Sequence, residues 1–166
     1  MITKLENYNE AIANKIHAVF QRSYKVEAQL IDVDDFPPLS RSTTNIVNST
    51  TEFYGFIDNN CLAAIIEIEI LEKQLDIHSL TVDPKYFRKG IADKLISYVL
   101  NKFDITTAIV ETAVVNQPAI NLYEKHGFRE YRKWTPSHGI EKLAMSVKLV
   151  QRKTNLCKIS CTLQPI

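Results

Sequence analysis

The sequence predicts an α/β domain of the α+β kind, a mixed, mostly antiparallel central sheet with helices on both faces. Two observations carry that reading. Between Thr51 and Val82 apolar residues recur with a period of two through three consecutive segments, which makes three antiparallel strands. A strand, a helix and a strand then follow in order, the crossover that leaves two neighbouring strands parallel. With the terminal segments included, the sheet comes to about six to seven strands.

Each element has its own signal. Met1 to Leu5 is a short strand, and Glu10 to Leu30 is an amphipathic helix on the spacing of Ile12, Ile16, Val19 and Phe20, with one break expected along it. Phe36-Pro37-Pro38-Leu39 is a loop, because proline has no N–H and restrains the residue before it. Ser40 or Ser42 caps a short helix through Val47. Phe53 to Ile57, the turn Asp58-Asn59-Asn60 and Leu62 to Leu71 read as a hairpin in which Ile66, Ile68 and Ile70 alternate with Glu67 and Glu69. A third strand runs from Leu75 to Val82. Ile91, Leu95, Val99 and Phe103 line one side of the next helix, and Ile105 to Val115 is the strand after it. Asn116 caps a helix through His126, and Gly127 suits the left-handed residue that ends it. Phe128 to Trp134 and Ile140 to Val150 complete the sheet. Residues 1–150 are therefore read as one domain, and 151–166 as a C-terminal tail without a recognisable pattern.

A chain of 166 residues supports one core, and 45% hydrophobic with 23% charged residues is ordinary for a soluble globular protein. A net charge of +1 argues against a nucleic-acid or membrane surface as partner. Cys61, Cys157 and Cys161 cannot all pair, and the polar start Met1-Ile2-Thr3-Lys4 does not resemble a secretory signal, so a cytoplasmic location is expected. Cys157 and Cys161 have no neighbouring ligand partner, and no metal site is expected. The apolar run Cys61 to Ile66 is far shorter than the roughly 20 residues that span a bilayer.

The chemistry begins at Val82-Asp83-Pro84-Lys85-Tyr86-Phe87-Arg88-Lys89-Gly90-Ile91-Ala92. A basic, glycine-bearing turn that feeds a helix N-terminus is built to hold a phosphate. The first N–H groups are free, the helix dipole adds positive charge, and glycine admits the anion close to the main chain.

Val82-Asp83-Pro84 with Arg88-Lys89-Gly90-Ile91-Ala92, followed by Asn116-Gln117-Pro118-Ala119-Ile120-Asn121-Leu122-Tyr123-Glu124-Lys125-His126-Gly127-Phe128, resembles the GCN5-related N-acetyltransferases over about Thr51 to Val150. The resemblance implies a sheet splayed at its central parallel pair and acetyl-CoA as the cofactor. It places the pyrophosphate on the turn from Phe87 through Arg88, Lys89, Gly90, Ile91 and Ala92 to Asp93. The pantetheine arm lies along Leu80, Thr81 and Val82, with backbone N–H groups near Leu80 facing the acetyl carbonyl. The family usually has glutamine or arginine where this chain has Phe87, so Arg88 and Lys89 are the expected charged contacts.

In the resemblance, Tyr123 is the acid that protonates the departing thiolate and Asn116 a cofactor contact. Read by themselves, Tyr123 is equally a core tyrosine beside Leu122 and Ala119, and Asn116 a helix cap. Glu111 is the first candidate for the base that deprotonates the amine, five residues before Asn116, as in ribosomal-protein N-terminal acetyltransferases. His78 is the second, and Glu67 and Glu69 compete with both. Tyr24, Glu27 and Phe36-Pro37-Pro38 belong to the part that shapes the acceptor site in relatives, and Trp134, Pro136, His138 and Gly139 to a connection that can border it.

The leading functional expectation is an acetyl-CoA-dependent N-acetyltransferase acting on a small-molecule primary amine by direct attack in a ternary complex. No cysteine falls in either motif, which argues against a covalent acetyl-enzyme. The alternatives are a protein or peptide N-terminal acetyltransferase and a non-catalytic acyl-CoA-binding module. The tail from Gln151 to Ile166 could support a homodimer through strand exchange or packing.

Overall fold

The computed structural model describes residues 1–150; the tail reading and the thiols of Cys157 and Cys161 lie outside the described residues. Among the described residues seven strands, β1 (Ile2–Leu5), β2 (Glu52–Asp58), β3 (Cys61–Leu71), β4 (Gln74–Val82), β5 (Thr107–Ala113), β6 (Arg129–Trp134) and β7 (Lys142–Lys148), form one sheet in the order β1-β2-β3-β4-β5-β7-β6. Every neighbouring pair is antiparallel except β4 and β5. The helices are α1 (Glu10–Leu30), α2 (Thr43–Val47), α3 (Ile91–Lys102) and α4 (Gln117–Lys125).

The expected break in α1 does not occur. Its 21 residues contain neither proline nor glycine, Asn9 caps the start by accepting from the Ala11 and Ile12 N–H groups, and the buried face runs unbroken from Ala13 to Ala28. The Phe36 loop holds a 3-10 turn at Pro37–Ser40 with both prolines at its start, where a missing N–H costs nothing. Of the two candidate caps, Ser42 is the one used: its hydroxyl accepts from the Asn45 N–H, and the Asn45 side chain accepts from the Ser42 N–H. Asn59 and Asn60 both take positive φ, the conformation that turns β2 into β3 through two residues.

Helices cover the two faces of the sheet unequally. On one face Ile16, Val19 and Phe20 of α1 pack against Phe53 and Ile65. On the other, Leu95, Ile96 and Val99 of α3 and Ile120 of α4 pack against Ile66, Ile68, Leu75, Ile77, Val110 and Met145. β4 enters the α3-side core through Leu75 and Ile77, and β5 enters it through Ala108 and Val110 but turns Ala113, at its upper end, into the α1-side core. No helix among the described residues is long and apolar enough to cross a membrane.

Candidate functional site

The parallel register of β4 and β5 runs only from Gln74 with Thr107 to Ile77 with Val110. At that point β4 carries one extra residue, His78, because Ile77 pairs with Ile68 while Ser79 pairs with Glu67. Such a bulge bends its strand and ends local pairing. Past it β4 continues beside β3 to Val82, and β5 continues beside β7 to Ala113. The sheet is therefore splayed at its one parallel pair, as the resemblance implied. The cleft has a volume of about 260 Å³ and is walled by Ile77, His78 and Leu80 on one side, by Val110, Glu111 and Ala113 on the other, and by Tyr24, Glu27 and Phe36 above.

β4 leads out of this cleft into the turn before α3. Asp83 anchors the turn: Arg22 of α1 donates to its carboxylate at 2.7 Å, and the Lys85 N–H donates to its other oxygen at 3.1 Å. Arg88 has φ +60° and Gly90 φ +68°, and Gly90 begins α3 with no side chain capping it. Among the described residues, none of the N–H groups from Arg88 to Asp93 has an acceptor. A Cβ at Gly90 would meet no heavy atom within 4 Å, so no side chain stands at that point of the turn. Lys89 sits with its ammonium 4.9 Å from the Tyr86 ring centre, while Phe87 is 43% exposed. Thr81 pairs with Ile65 and shares its face, toward α1; its buried hydroxyl has no partner among the described residues.

Asp93 lies in the first turn of α3, but its carboxylate faces α4, with Lys125 at 2.8 Å and His126 at 2.9 Å. The Lys125 hydrogen bond leads, and His126 adds to it, in holding the Asp93 carboxyl below its ordinary value despite some desolvation. This clamp joins the start of α3 to the end of α4. At the other end of α4, Asn116 accepts from the Ala119 N–H at 3.3 Å and caps the helix. Ala119 and Tyr123, one turn apart, then both reach the cleft. Tyr123 is 5% exposed and packs on Phe128 with ring centres 5.6 Å apart. Burial, then the charges of Glu27 and Tyr24, push its hydroxyl above the ordinary tyrosine value, so it holds its proton firmly. The ring of Tyr123 belongs to the core, and its side chain also lines the cleft.

Four candidate bases separate in space. Glu111 lies exposed at the cleft wall beside Lys142 at 3.4 Å, and His78 lies at the bulge beside Glu69 at 3.3 Å. Glu69, on the exposed end of β3, is not part of the wall. Glu67 is 2% exposed and committed elsewhere: it takes both Arg41 donors at 2.6 and 2.9 Å, the Thr51 hydroxyl at 2.6 Å and the Ser79 hydroxyl at 3.1 Å. A further carboxylate comes from α1. Glu27 accepts from the Asn116 amide at 3.0 Å, and burial raises its carboxyl above the ordinary value although that hydrogen bond opposes the rise. The sequence marked Glu27 only as part of the acceptor-shaping region, because its partner is 89 residues away. His138, Ile140 and Lys142 close the far rim, whereas Trp134 and Pro136 are not part of the wall.

The model of the acetyltransferase (GNAT) family matches residues 14–128. The chain is 34% identical over 131 residues to the UPF0157 protein YqkA of Bacillus subtilis, covering 78% of this chain but 38% of that protein. It is 32% identical over 83 residues to N-alpha-acetyltransferase 30 of Xenopus laevis, covering 46% of this chain and 30% of that protein. The chain thus spans less than half the length of either relative. In three dimensions it matches the crystal structure of the PaiA N-acetyltransferase of Thermoplasma acidophilum in complex with coenzyme A, with a TM-score of 0.73 at 18% identity, covering 90% of this chain and 98% of that one.

Proposed function

Since the chain belongs to the GNAT family of acetyltransferases, we propose that it moves the acetyl group of acetyl-CoA to a primary amine, by direct attack of the amine on the thioester. The observation that carries this reading is continuity: β4 runs from the cleft that Tyr123 lines straight into an open row of N–H donors from Arg88 to Asp93. Those donors fit a pyrophosphate, because they are unpaired among the described residues and Gly90 sets no side chain among them.

In this reading the edge of β4 from Leu80 to Val82, freed by the splay, takes the pantetheine arm as an added strand. Ile91, Ala92 and Asp93 contribute backbone N–H groups, and Arg88 and Lys89 supply charge where Phe87 supplies none. The Asp93 carboxylate serves the clamp to α4 instead. N–H groups near Leu80 face the carbonyl oxygen as negative charge develops on it. Tyr123 protonates the sulfur as the C–S bond breaks.

The acceptor is a small-molecule amine in the first reading. The cleft of about 260 Å³ suits a single amine-bearing group, with Tyr24, Phe36 and Pro37 as an apolar wall and Glu27 and Glu111 as the acids that attract a cation. The similarity to an N-alpha-acetyltransferase supports a second reading, a protein N-terminus. Release of coenzyme A thiol, measured over small amines and over peptides with free N-termini, separates them. Turnover of peptides alone rejects the first, and binding of acetyl-CoA without any turnover leaves a non-catalytic acyl-CoA module.

A further inference from the structure

Four carboxylate or imidazole groups line the cleft, Glu27, His78, Glu111 and His138, and their surroundings differ; the ring of His138 accepts from the Ile140 N–H on its own loop. Glu111 and His78 stand at the rim, each beside an oppositely charged side chain or potential partner. Glu27 stands deeper, and one of its oxygens is without a partner among the described residues. The geometry that sets it is specific. The Asn116 oxygen is committed to the Ala119 N–H, so its amide N–H₂ is turned toward Glu27 and fixes Oε1 at 3.0 Å. Asn116 is itself 8% exposed and begins the helix that carries Tyr123. One side chain thereby connects Glu27 of α1 to the helix of the proposed acid.

Resting on the acetyl-transfer reading above, we infer that Glu27 receives the acceptor amine's proton and that its discharge primes Tyr123 to release its own. The ammonium N–H bond breaks and a Glu27 O–H bond forms. The nitrogen lone pair then forms the C–N bond to the acetyl carbon, the C–S pair stays on sulfur, and Tyr123 gives its proton to that sulfur. The remaining extra proton on nitrogen passes to the tyrosinate, and Glu27 returns its proton to solvent. The two groups are suited to this order. The negative charge of Glu27 contributes to holding the Tyr123 proton, and that contribution vanishes when Glu27 is protonated. Tyr123 thus becomes the stronger acid at the step where thiolate is produced. Burial raises a carboxyl and lowers an amine, which brings donor and acceptor closer in strength.

The titratable, charged and polar groups that share the cleft with Glu27 are Tyr24 on its own helix, Asn116 and Tyr123 of the α4 segment, His78 of β4, Glu111 of β5, and His138 and Lys142 at the far rim, with the Arg41–Glu67 pair near Tyr24. Burial, opposed by the Asn116 bond, is what shifts Glu27.

The test is Glu27→Gln, which keeps the size and can still accept from Asn116. The expected result is a fall in kcat of about 100-fold or more with coenzyme A affinity unchanged, and loss of the acidic limb of the pH–rate profile. In the wild type that limb lies above the ordinary carboxylate value, because rate falls as Glu27 is protonated. Independently of turnover, the ring-carbon NMR signal of [13Cζ]-labelled Tyr123 in the wild type moves as Glu27 titrates, and stays flat in Glu27→Gln. A flat wild-type signal overturns the inference, as does a variant that keeps both its kcat and its acidic limb, or a loss in Glu111→Gln with none in Glu27→Gln. Failure of the wild type to bind acetyl-CoA overturns the acetyl-transfer reading and this inference with it.

Discussion

A carboxylate only 2% exposed survives inside the sheet because four hydrogen bonds reach Glu67: two from Arg41, one from Thr51 and one from Ser79. Burial alone would raise its carboxyl, but those donors outweigh burial and hold it below the ordinary value. A depressed folded-state value means that the stabilisation is complete above the ordinary carboxylate range and is lost as pH falls through the lower folded one. Glu67→Ala leaves Arg41 without its partner, and is expected to cost roughly 3 kcal/mol, the low end for a broken buried pair because Arg41 keeps some solvent. Urea unfolding at pH 7 and at pH 3 checks both points: the gap between wild type and variant is expected to narrow at the lower pH. Tyr123 presents a different case: its ring is buried, while its hydroxyl makes no hydrogen bond among the described residues. Tyr123→Phe is therefore expected to change stability by less than about 1 kcal/mol while kcat falls about 100-fold. Thermal melts and steady-state kinetics on one preparation measure both, and an unaltered kcat would remove Tyr123 from the reaction.

The turn before α3 is an element whose function follows from what it lacks. It has no side-chain cap at the helix start and no acceptor for its N–H groups from Arg88 to Asp93 among the described residues, and its glycine adopts φ +68°. Gly90→Val forces an L side chain into the left-handed region, at a cost of about 1–2 kcal/mol, and adds a branched side chain to the row of donors where none stands now. The variant is expected to fold with a small loss of stability and to bind coenzyme A at least tenfold more weakly by calorimetry; equal affinity would move the phosphate site elsewhere. This turn was legible in the sequence, as were the β2–β3–β4 meander, α3 and α4, because each carries its periodicity, turn residues or glycine within its own span. The bulge at His78, the turn of Asp93 toward Lys125 and His126, and the contact between Glu27 and Asn116 were not legible. Each depends on which distant element lies alongside, and no local pattern encodes that. The same holds for Glu67: alternation assigned its face, but only the packing of α1 and the Arg41 segment over that face buried it.

Across the whole molecule, the β1–β4 half and the β5–β7 half meet through a short parallel register, Gln74–Ile77 with Thr107–Val110. Few polar side-chain bridges reinforce the junction: Lys73 to Asp104 at its foot, Asp93 to Lys125 and His126 on one face, Glu27 to Asn116 on the other. A ligand seated in the cleft and on the turn would contact both halves and add bonds where the sheet itself has none. Binding to the folded state alone stabilises it by RT ln(1 + [L]/Kd), about 2.7 kcal/mol at a hundredfold excess over Kd. For a chain of this size that corresponds to a rise in Tm of roughly 5–10 °C. The gain is expected to be distributed unevenly. Hydrogen exchange should slow most at the turn from Arg88 to Asp93, at His78 to Val82 and in α4, and least in β1 and β6 at the outer edges of the sheet. Gly90→Val is expected to lose both the Tm rise and this pattern at the same coenzyme A concentration. Protection confined to the turn, with β4 and α4 unchanged, would mean that the ligand grips the phosphate site without entering the cleft, and the acetyl-transfer geometry would then fail.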